Sequence, residues 1–100
     1  MKKQNLTSEK IIKTIEKHRI DLAKFDVTKI GLFGSFSKNP KSNSDIDFLV
    51  DFKNPTLDNY MGLKFRLEKL FNRKVDLVME KELKPALRYV KKEAIYAKGF

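Results

Sequence analysis

The chain contains no cysteine and no tryptophan, and it has a single histidine among its 100 residues. The lack of cysteine excludes disulfides, thiolate metal sites and cysteine nucleophiles. The histidine, His18, lies between Lys17 and Arg19 in a polar stretch, which is typical of a solvated helix end. Chemistry that needs a thiolate or several imidazoles is therefore excluded.

Long apolar runs are also missing, because no stretch approaches the roughly 20 apolar residues that a membrane-spanning helix needs. The first residues, MKKQNLTSEKIIK, are basic but lack the apolar core of a signal peptide. We therefore expect no membrane contact and a cytoplasmic location. With 41% hydrophobic positions, the chain has enough apolar residues for one core, and we expect a single domain over residues 1–100.

Positive charge is in excess. The 22 Lys and Arg residues outnumber the 13 Asp and Glu residues, which gives a formal net charge of +9. This balance is compatible with nucleic-acid binding, but the lysines are scattered and are not interleaved with aromatic residues as on a base-stacking surface. Nucleic acid is therefore an open but not a favoured partner, since solubility, a phosphorylated substrate or an acidic partner also explain the charge.

Helical and strand patterns alternate along the chain. Apolar residues at helical spacing predict a first helix that is capped by Thr7 or Ser8 and a second helix after Pro55. Stretches rich in β-branched and aromatic residues predict three strands, at residues 27–33, 45–52 and 74–78.

We expect a last helix to begin at Pro85, which is tolerated in the first turn of a helix, and to carry Leu87, Val90 and Ala94. Strands interleaved with helices indicate an α/β or α+β fold in which helices cover a small sheet. A right-handed crossover through the second helix would lay the third strand parallel to the second.

Two aspartates alternate with apolar residues in the second predicted strand. Pleating sends Asp45 and Asp47 to one face, about 6.6 Å apart along the backbone, while Ile46, Phe48 and Val50 point into the core. Aspartate is depleted in strands and two on one face repel each other, so the arrangement costs stability unless a cation binds. Carboxylate oxygens suit Mg²⁺, which also binds substrate phosphates. The pair is therefore a candidate metal site.

Asp76 is the one charged residue among positions 75–78 of the third predicted strand. If that strand neighbours the second, Asp76 meets Asp45 and Asp47 and serves as a metal ligand, as a general base toward an attacking hydroxyl, or as both. The alternative is a solvated aspartate at a sheet edge. Asp51 shares the face of Asp45 and Asp47 by alternation, but we expect a solvated charge there because it lies near the strand end.

A loop of small and polar residues, GSFSKNPKSNS, separates the first two predicted strands. Gly34 and Ser35 come directly after the first strand, where the backbone must bend and offers amide hydrogens to an anion. The Ser35 hydroxyl adds a donor, and a short helix beginning near Phe36 would aim its amino terminus at the same anion. Alone, Gly-Ser more often marks an ordinary turn.

Taken together, these elements resemble the DNA polymerase β-like nucleotidyltransferase superfamily, and specifically the minimal nucleotidyltransferases that act as antitoxins beside HEPN-domain toxins. The similarity covers nearly the whole chain and rests on the segments IGLFGSFS, SDIDFLV and VDLV. The resemblance implies a nucleotidyltransferase core with a small mixed sheet, ATP as substrate and Mg²⁺ in a two-metal site. It further implies that Gly34 and Ser35 hold the triphosphate, that Asp45 and Asp47 hold the metals, and that Asp76 completes the catalytic and metal-binding triad.

One position departs from the family pattern. Many relatives have Arg-Gly soon after the Gly-Ser, whereas this chain has Lys38-Asn39. Lys38 keeps the positive charge for nucleotide binding but loses the bidentate contact that arginine makes with phosphate. Phosphate contacts in this loop are therefore expected to differ from those of relatives.

The resemblance also implies a reaction and a partner. The predicted activity is Mg²⁺-dependent transfer of AMP from ATP to a hydroxyl group, in first place a tyrosine, of a partner HEPN toxin that is thereby silenced. A chain of this length has little room for an acceptor pocket of its own, which suits a protein acceptor. Two alternatives stay open: nucleotide transfer to a small hydroxylated molecule, and a non-catalytic module that neutralises a toxin or binds nucleic acid.

Overall fold

The structure, a computed structural model, describes residues 7–33, 45–87 and 89–100. Within these ranges the α-helices are α1 (Ser8–Lys17), α2 (Arg19–Leu22), α3 (Leu57–Phe71) and α4 (Val90–Glu93). The strands are β1 (Val27–Phe33), β2 (Ile46–Phe52), β3 (Val75–Met79) and β4 (Ile95–Tyr96). Short 3-10 helices span Ala23–Phe25, Glu80–Glu82 and Pro85–Leu87. None of the described helices is long and apolar enough to cross a membrane.

The four strands form one mixed sheet in the order β3-β2-β1-β4. β1 is antiparallel to β2 and to β4, whereas β2 and β3 are parallel. α3 makes the crossover between the two parallel strands. The small mixed sheet with covering helices is confirmed, and so is the parallel pairing of the second and third predicted strands.

One face of the sheet carries the core. Ile46, Phe48 and Val50 of β2 are fully buried there, which confirms the inward direction predicted for them. The helices cover this face with apolar side chains, namely Ile11, Ile12, Ile15, Leu22, Leu63 and Leu67. The opposite side of the sheet, which we call the second face, carries the residues that alternate with the core positions.

Threonine side chains cap the two longer helices. The Thr7 hydroxyl accepts a hydrogen bond from the Lys10 N–H (3.2 Å) at the start of α1, and the Thr56 hydroxyl accepts one from the Asn59 N–H (3.1 Å) at the start of α3. α3 ends where Asn72 adopts a left-handed conformation with φ of 51°, which asparagine tolerates better than most residues. Local sequence thus determines both limits of α3.

Side chains of α3 hold the edge strand β3 in place. The Tyr60 hydroxyl donates a hydrogen bond to the Leu77 carbonyl (2.7 Å), and the Glu68 carboxylate accepts one from the Val75 N–H (3.1 Å). These contacts satisfy main-chain groups that would otherwise need water or another strand. α3 therefore fixes β3 along its length as well as covering the core.

The predicted last helix is wrong. Pro85–Leu87 is a 3-10 turn, α4 covers only Val90–Glu93, and Ala94 lies outside any helix. The chain then forms β4, which the sequence analysis did not predict. Tyr96 pairs with Gly31 of β1, and its ring lies where a side chain at position 31 would be. This contact between distant parts of the chain favours a strand over a longer helix.

Gly31→Ala is expected to destabilise the protein by about 1–3 kcal/mol, although alanine usually stabilises a strand relative to glycine. A Cβ atom at position 31 would lie 2.9 Å from Cδ1 and Cε1 of the Tyr96 ring, so the ring and β4 must move. Urea unfolding followed by circular dichroism measures the change. The same substitution should cost much less in a Tyr96→Ala background, and an equal cost in both backgrounds would contradict this explanation.

Candidate active site

Asp47 and Asp76 lie opposite each other on neighbouring strands. Asp47 of β2 is the register partner of Asp76 of β3 and, on its other side, of Phe33 of β1. Register partners project from the same face of a sheet, and the buried neighbours Ile46 and Phe48 occupy the core face. The structure therefore brings both carboxylates together on the second face.

Asp45 directly precedes β2 and joins these two residues. It lies two positions before Asp47, so strand alternation turns it toward the same face, and it is exposed, as Asp76 is. Burial raises the pKa of Asp47 above its ordinary value, and the negative charges of Asp76 and Asp45 and a hydrogen bond with Asp76 raise it further. Asp45, Asp47 and Asp76 thus form one electrostatic unit, which we call the acidic cluster.

The acidic cluster has no paired cation among the residues that the structure describes. Within residues 7–33, 45–87 and 89–100, no Lys or Arg nitrogen lies within 4.0 Å of its carboxylates. Two carboxylates further along the sheet are paired, because Asp51 lies 4.0 Å from Lys81 and Glu80 lies 3.5 Å from Lys29. Cations are abundant in a chain of charge +9, yet none in the described ranges pairs with the acidic cluster.

The chemistry of the acidic cluster fits a magnesium ion. Mg²⁺ prefers one or two carboxylates together with substrate phosphates, and its binding would offset the repulsion that raises the pKa of Asp47. The described part of the chain holds no group of three or more His, Asp or Glu side chains already gathered around one point as metal ligands. Strand register supplies the placement of the carboxylates, and side-chain rotation toward a cation must complete the site.

The residues predicted to bind the nucleotide, Gly34, Ser35 and Lys38, lie outside the described residues. Phe33, the last residue of β1, directly precedes Gly34 in the sequence and pairs with Asp47. Phe33 itself is half-buried and was missed by the sequence analysis, although its alternation with Leu32 predicts that it faces the same way as Asp47. An apolar ring at this position agrees with burial as the largest cause of the raised pKa of Asp47.

Comparison with known proteins gives a family and close relatives. A family model described as "Nucleotidyltransferase domain" matches residues 8–98. The protein "Putative protein adenylyltransferase MJ1379" of Methanocaldococcus jannaschii is 36% identical over 91 residues, which cover 86% of this chain and 89% of that protein. "Putative protein adenylyltransferase MJ0126" of the same organism is 35% identical over 89 residues, with the same two coverages.

Solved structures share the fold. A "putative minimal nucleotidyltransferase" superposes with a TM-score of 0.77 at 32% identity and covers 93% of this chain and 98% of its own. A chain from a toxin-antitoxin structure with AMP-PNP gives a TM-score of 0.59 at 30% identity, with 79% of this chain and 68% of that chain covered. A chain from the toxin-antitoxin MntA-HepT gives 0.57 at 26% identity, with coverages of 88% and 73%.

Asp47→Asn is expected to stabilise the metal-free protein by about 0.2–1 kcal/mol, the range for relief of a like-charged cross-strand pair. Asparagine has nearly the same shape and removes the charge that Asp76 and Asp45 repel. Urea unfolding at neutral pH with a chelator present measures the gain. Asp51→Asn is the matched control, because Asp51 lies on the same strand face but near Lys81, and it should bring no gain. A destabilised Asp47→Asn protein would show that the acidic cluster is not repulsive.

The stability gained by Asp47→Asn depends on pH, and the direction of this dependence follows from the raised pKa of Asp47. Because the pKa of Asp47 is raised in the folded protein, the folded state binds this proton more tightly than the unfolded state, and stability falls as pH rises through the raised pKa. The unfavourable contribution is absent well below the ordinary value of 3.8. The advantage of Asp47→Asn over wild type should therefore be small in acid and reach its full size at neutral pH.

Proposed function

Because this chain belongs to the nucleotidyltransferase domain family, we propose that it is a Mg²⁺-dependent protein adenylyltransferase, which moves AMP from ATP to a hydroxyl group of a partner protein. The observation that carries the proposal is the acidic cluster, three aspartates on one sheet face that have no paired cation among residues 7–33, 45–87 and 89–100. Such an arrangement is unfavourable for stability and suits a metal ion that arrives with a triphosphate. The names of the relatives support ATP as donor and a protein as acceptor.

The donor side of the site lies between β1 and β2. We assign Asp45 and Asp47 to the metal, because they are the carboxylates at the start of β2, next to Phe33 at the end of β1. Gly34, Ser35 and Lys38 are assigned to the triphosphate on the strength of the sequence pattern. When bound, Mg²⁺ offsets the charge of the triphosphate and makes the α-phosphorus more electrophilic.

The acceptor side lies at β3, which is an edge strand of the sheet. Asp76 is exposed there, so an acceptor reaches it without crossing β1 or β2. We assign Asp76 to receive the proton of the acceptor hydroxyl as the acceptor oxygen attacks the α-phosphorus. The bond between the α-phosphorus and the bridging oxygen then breaks, and pyrophosphate leaves while AMP stays on the acceptor.

We propose a HEPN-type toxin as the partner and a tyrosine hydroxyl as the modified group. Chains of similar fold come from toxin-antitoxin structures, among them MntA-HepT and one with AMP-PNP. Two of the three aspartates are exposed on a sheet face, which suits an acceptor that covers the site when it docks. AMP adds bulk and a negative phosphodiester to the toxin, which would hinder binding of an RNA backbone by sterics and repulsion.

Asp76→Asn is expected to lower AMP transfer by roughly 10²–10⁴-fold, the contribution of a positioned general base, while ATP still binds. Calorimetry with ATP in the presence and absence of Mg²⁺ provides the control, because wild type and Asp76→Asn should both bind ATP only when the metal is present. An undiminished rate of transfer would remove Asp76 from the mechanism. Equal ATP affinity with and without Mg²⁺ would contradict the metal site.

Co-expression tests the acceptor. This chain, as wild type or as the double variant Asp45→Ala/Asp47→Ala, is produced together with the protein encoded beside it, and the intact mass of that partner is measured. We expect additions of AMP only with the wild type, and the modified tyrosine is then located by peptide mass spectrometry. If both versions silence an unmodified partner equally, neutralisation occurs by binding alone; if labelled AMP appears only on small molecules, the acceptor class is wrong.

A further inference from the structure

Lys74 lies directly before β3 and is held in the strand ladder. Its carbonyl accepts a hydrogen bond from the Ile46 N–H (3.0 Å). Because Ile46 is the register partner of Val75, Asp45 lies opposite Lys74 one step earlier along the two parallel strands. Lys74 therefore continues the sheet at the end where the acidic cluster lies.

Alternation along β3 places Lys74 on the second face. Val75 and Leu77 are buried in the core, whereas Asp76 is exposed on the opposite side. Since neighbouring residues of an extended strand project from opposite faces, Lys74 projects from the face of Asp76. The acidic cluster and Lys74 thus occupy adjoining positions on one face of two paired strands.

The ammonium group of Lys74 is not engaged within the described ranges. Lys74 is exposed and makes no ion pair there. Two lysines near the other end of this face differ from it. Lys29 lies close to Glu80, and Lys81 lies close to Asp51. The positive charge of Lys74 is therefore available for a bound molecule.

The order of the strands shows on which side of the acidic cluster Lys74 lies. β2 is flanked by β1 and β3, and Phe33, the last residue of β1, pairs with Asp47 on the β1 side. Lys74 lies on the β3 side, with Asp76 at the edge of the sheet. It is thus separated by β2 from Phe33, which in the sequence directly precedes the residues that we assign to the triphosphate.

We propose that Lys74 is a substrate-contacting residue of the acceptor side, whose ammonium group stabilises the acceptor oxygen during transfer. This inference rests on the proposed function. The acceptor hydroxyl gives its proton to Asp76, the bond from its oxygen to the α-phosphorus forms, and the bond to pyrophosphate breaks. Three aspartates repel an oxygen that gains negative charge in this step, and an ammonium group carried beside them by the strand ladder opposes that repulsion.

Lys74→Ala and Lys74→Arg test the proposal, with Lys53→Ala as the matched control. Lys53 is also exposed and adjoins β2, but at the end away from the acidic cluster, so its removal changes the net charge equally. ATP affinity is measured by calorimetry with Mg²⁺. Transfer is measured with α-labelled ATP and the partner protein that the wild type modifies, and also as release of AMP with water as the acceptor.

Lys74→Ala should lower kcat by on the order of 10²-fold, as loss of a charge-stabilising donor does, with ATP affinity within about threefold of wild type. Lys74→Arg should recover most of the rate, and Lys53→Ala should behave as wild type. A Lys74→Ala protein with unchanged transfer would overturn the proposal. So would an equal loss of ATP affinity and of transfer, because it would place Lys74 on the donor side.

Failure of the proposed function is recognised separately. A wild type that leaves the partner unmodified but releases AMP contradicts the protein acceptor, and the comparison of Lys74 variants with water then still supports or overturns the assignment of Lys74. A wild type that binds ATP and Mg²⁺ but neither modifies the partner nor releases AMP overturns both.

Discussion

The parallel pairing of β2 with β3 is the constraint on which the acidic cluster depends. A shift of one residue in this register would turn Asp76 into the core and expose Val75 and Leu77, which are almost fully buried. The apolar cost of that shift and the two hydrogen bonds from α3 to main-chain groups of β3 oppose it. α3 therefore positions the catalytic candidate Asp76 although none of its own side chains belongs to the acidic cluster.

Function and stability make opposite demands on the second face. Carboxylates opposite each other on paired strands repel, and the partial burial of Asp47 strengthens this effect because water screens the charges less. Apolar burial on the other face offsets the cost of this repulsion, because β2 buries an apolar side chain at each alternate position from Ile46 to Phe52. A bound cation would convert the same carboxylates from an unfavourable feature into a stabilised site.

Local patterns predicted most of the fold and less of the site. The alternation in β2, the cap of α1 at Thr7 and the start of α3 after Pro55 are short-range signals, and the structure agrees with them. β4 escaped prediction because two residues carry no detectable alternation and because its place depends on Tyr96 packing over Gly31, distant in sequence. Pro85 begins a helical turn as predicted, but that turn is a 3-10 helix of three residues. The sequence alone could not show which aspartates lie together. Their placement depends on the register between β2 and β3, and this register is not encoded in either segment alone.

Charge pairing distinguishes the two ends of the second face. At the end where β2 finishes, Asp51 and Glu80 have lysines within 4.0 Å, and Lys29 also lies over the Tyr96 ring at 5.9 Å from its centroid. Carboxylates there are neutralised and serve the structure. At the end where β2 begins, no Lys or Arg of the described ranges pairs with the acidic cluster, which forms a negative site there on a molecule with a net charge of +9. Under the proposed function, the net positive charge would attract a triphosphate while the acidic cluster would attract its metal ion.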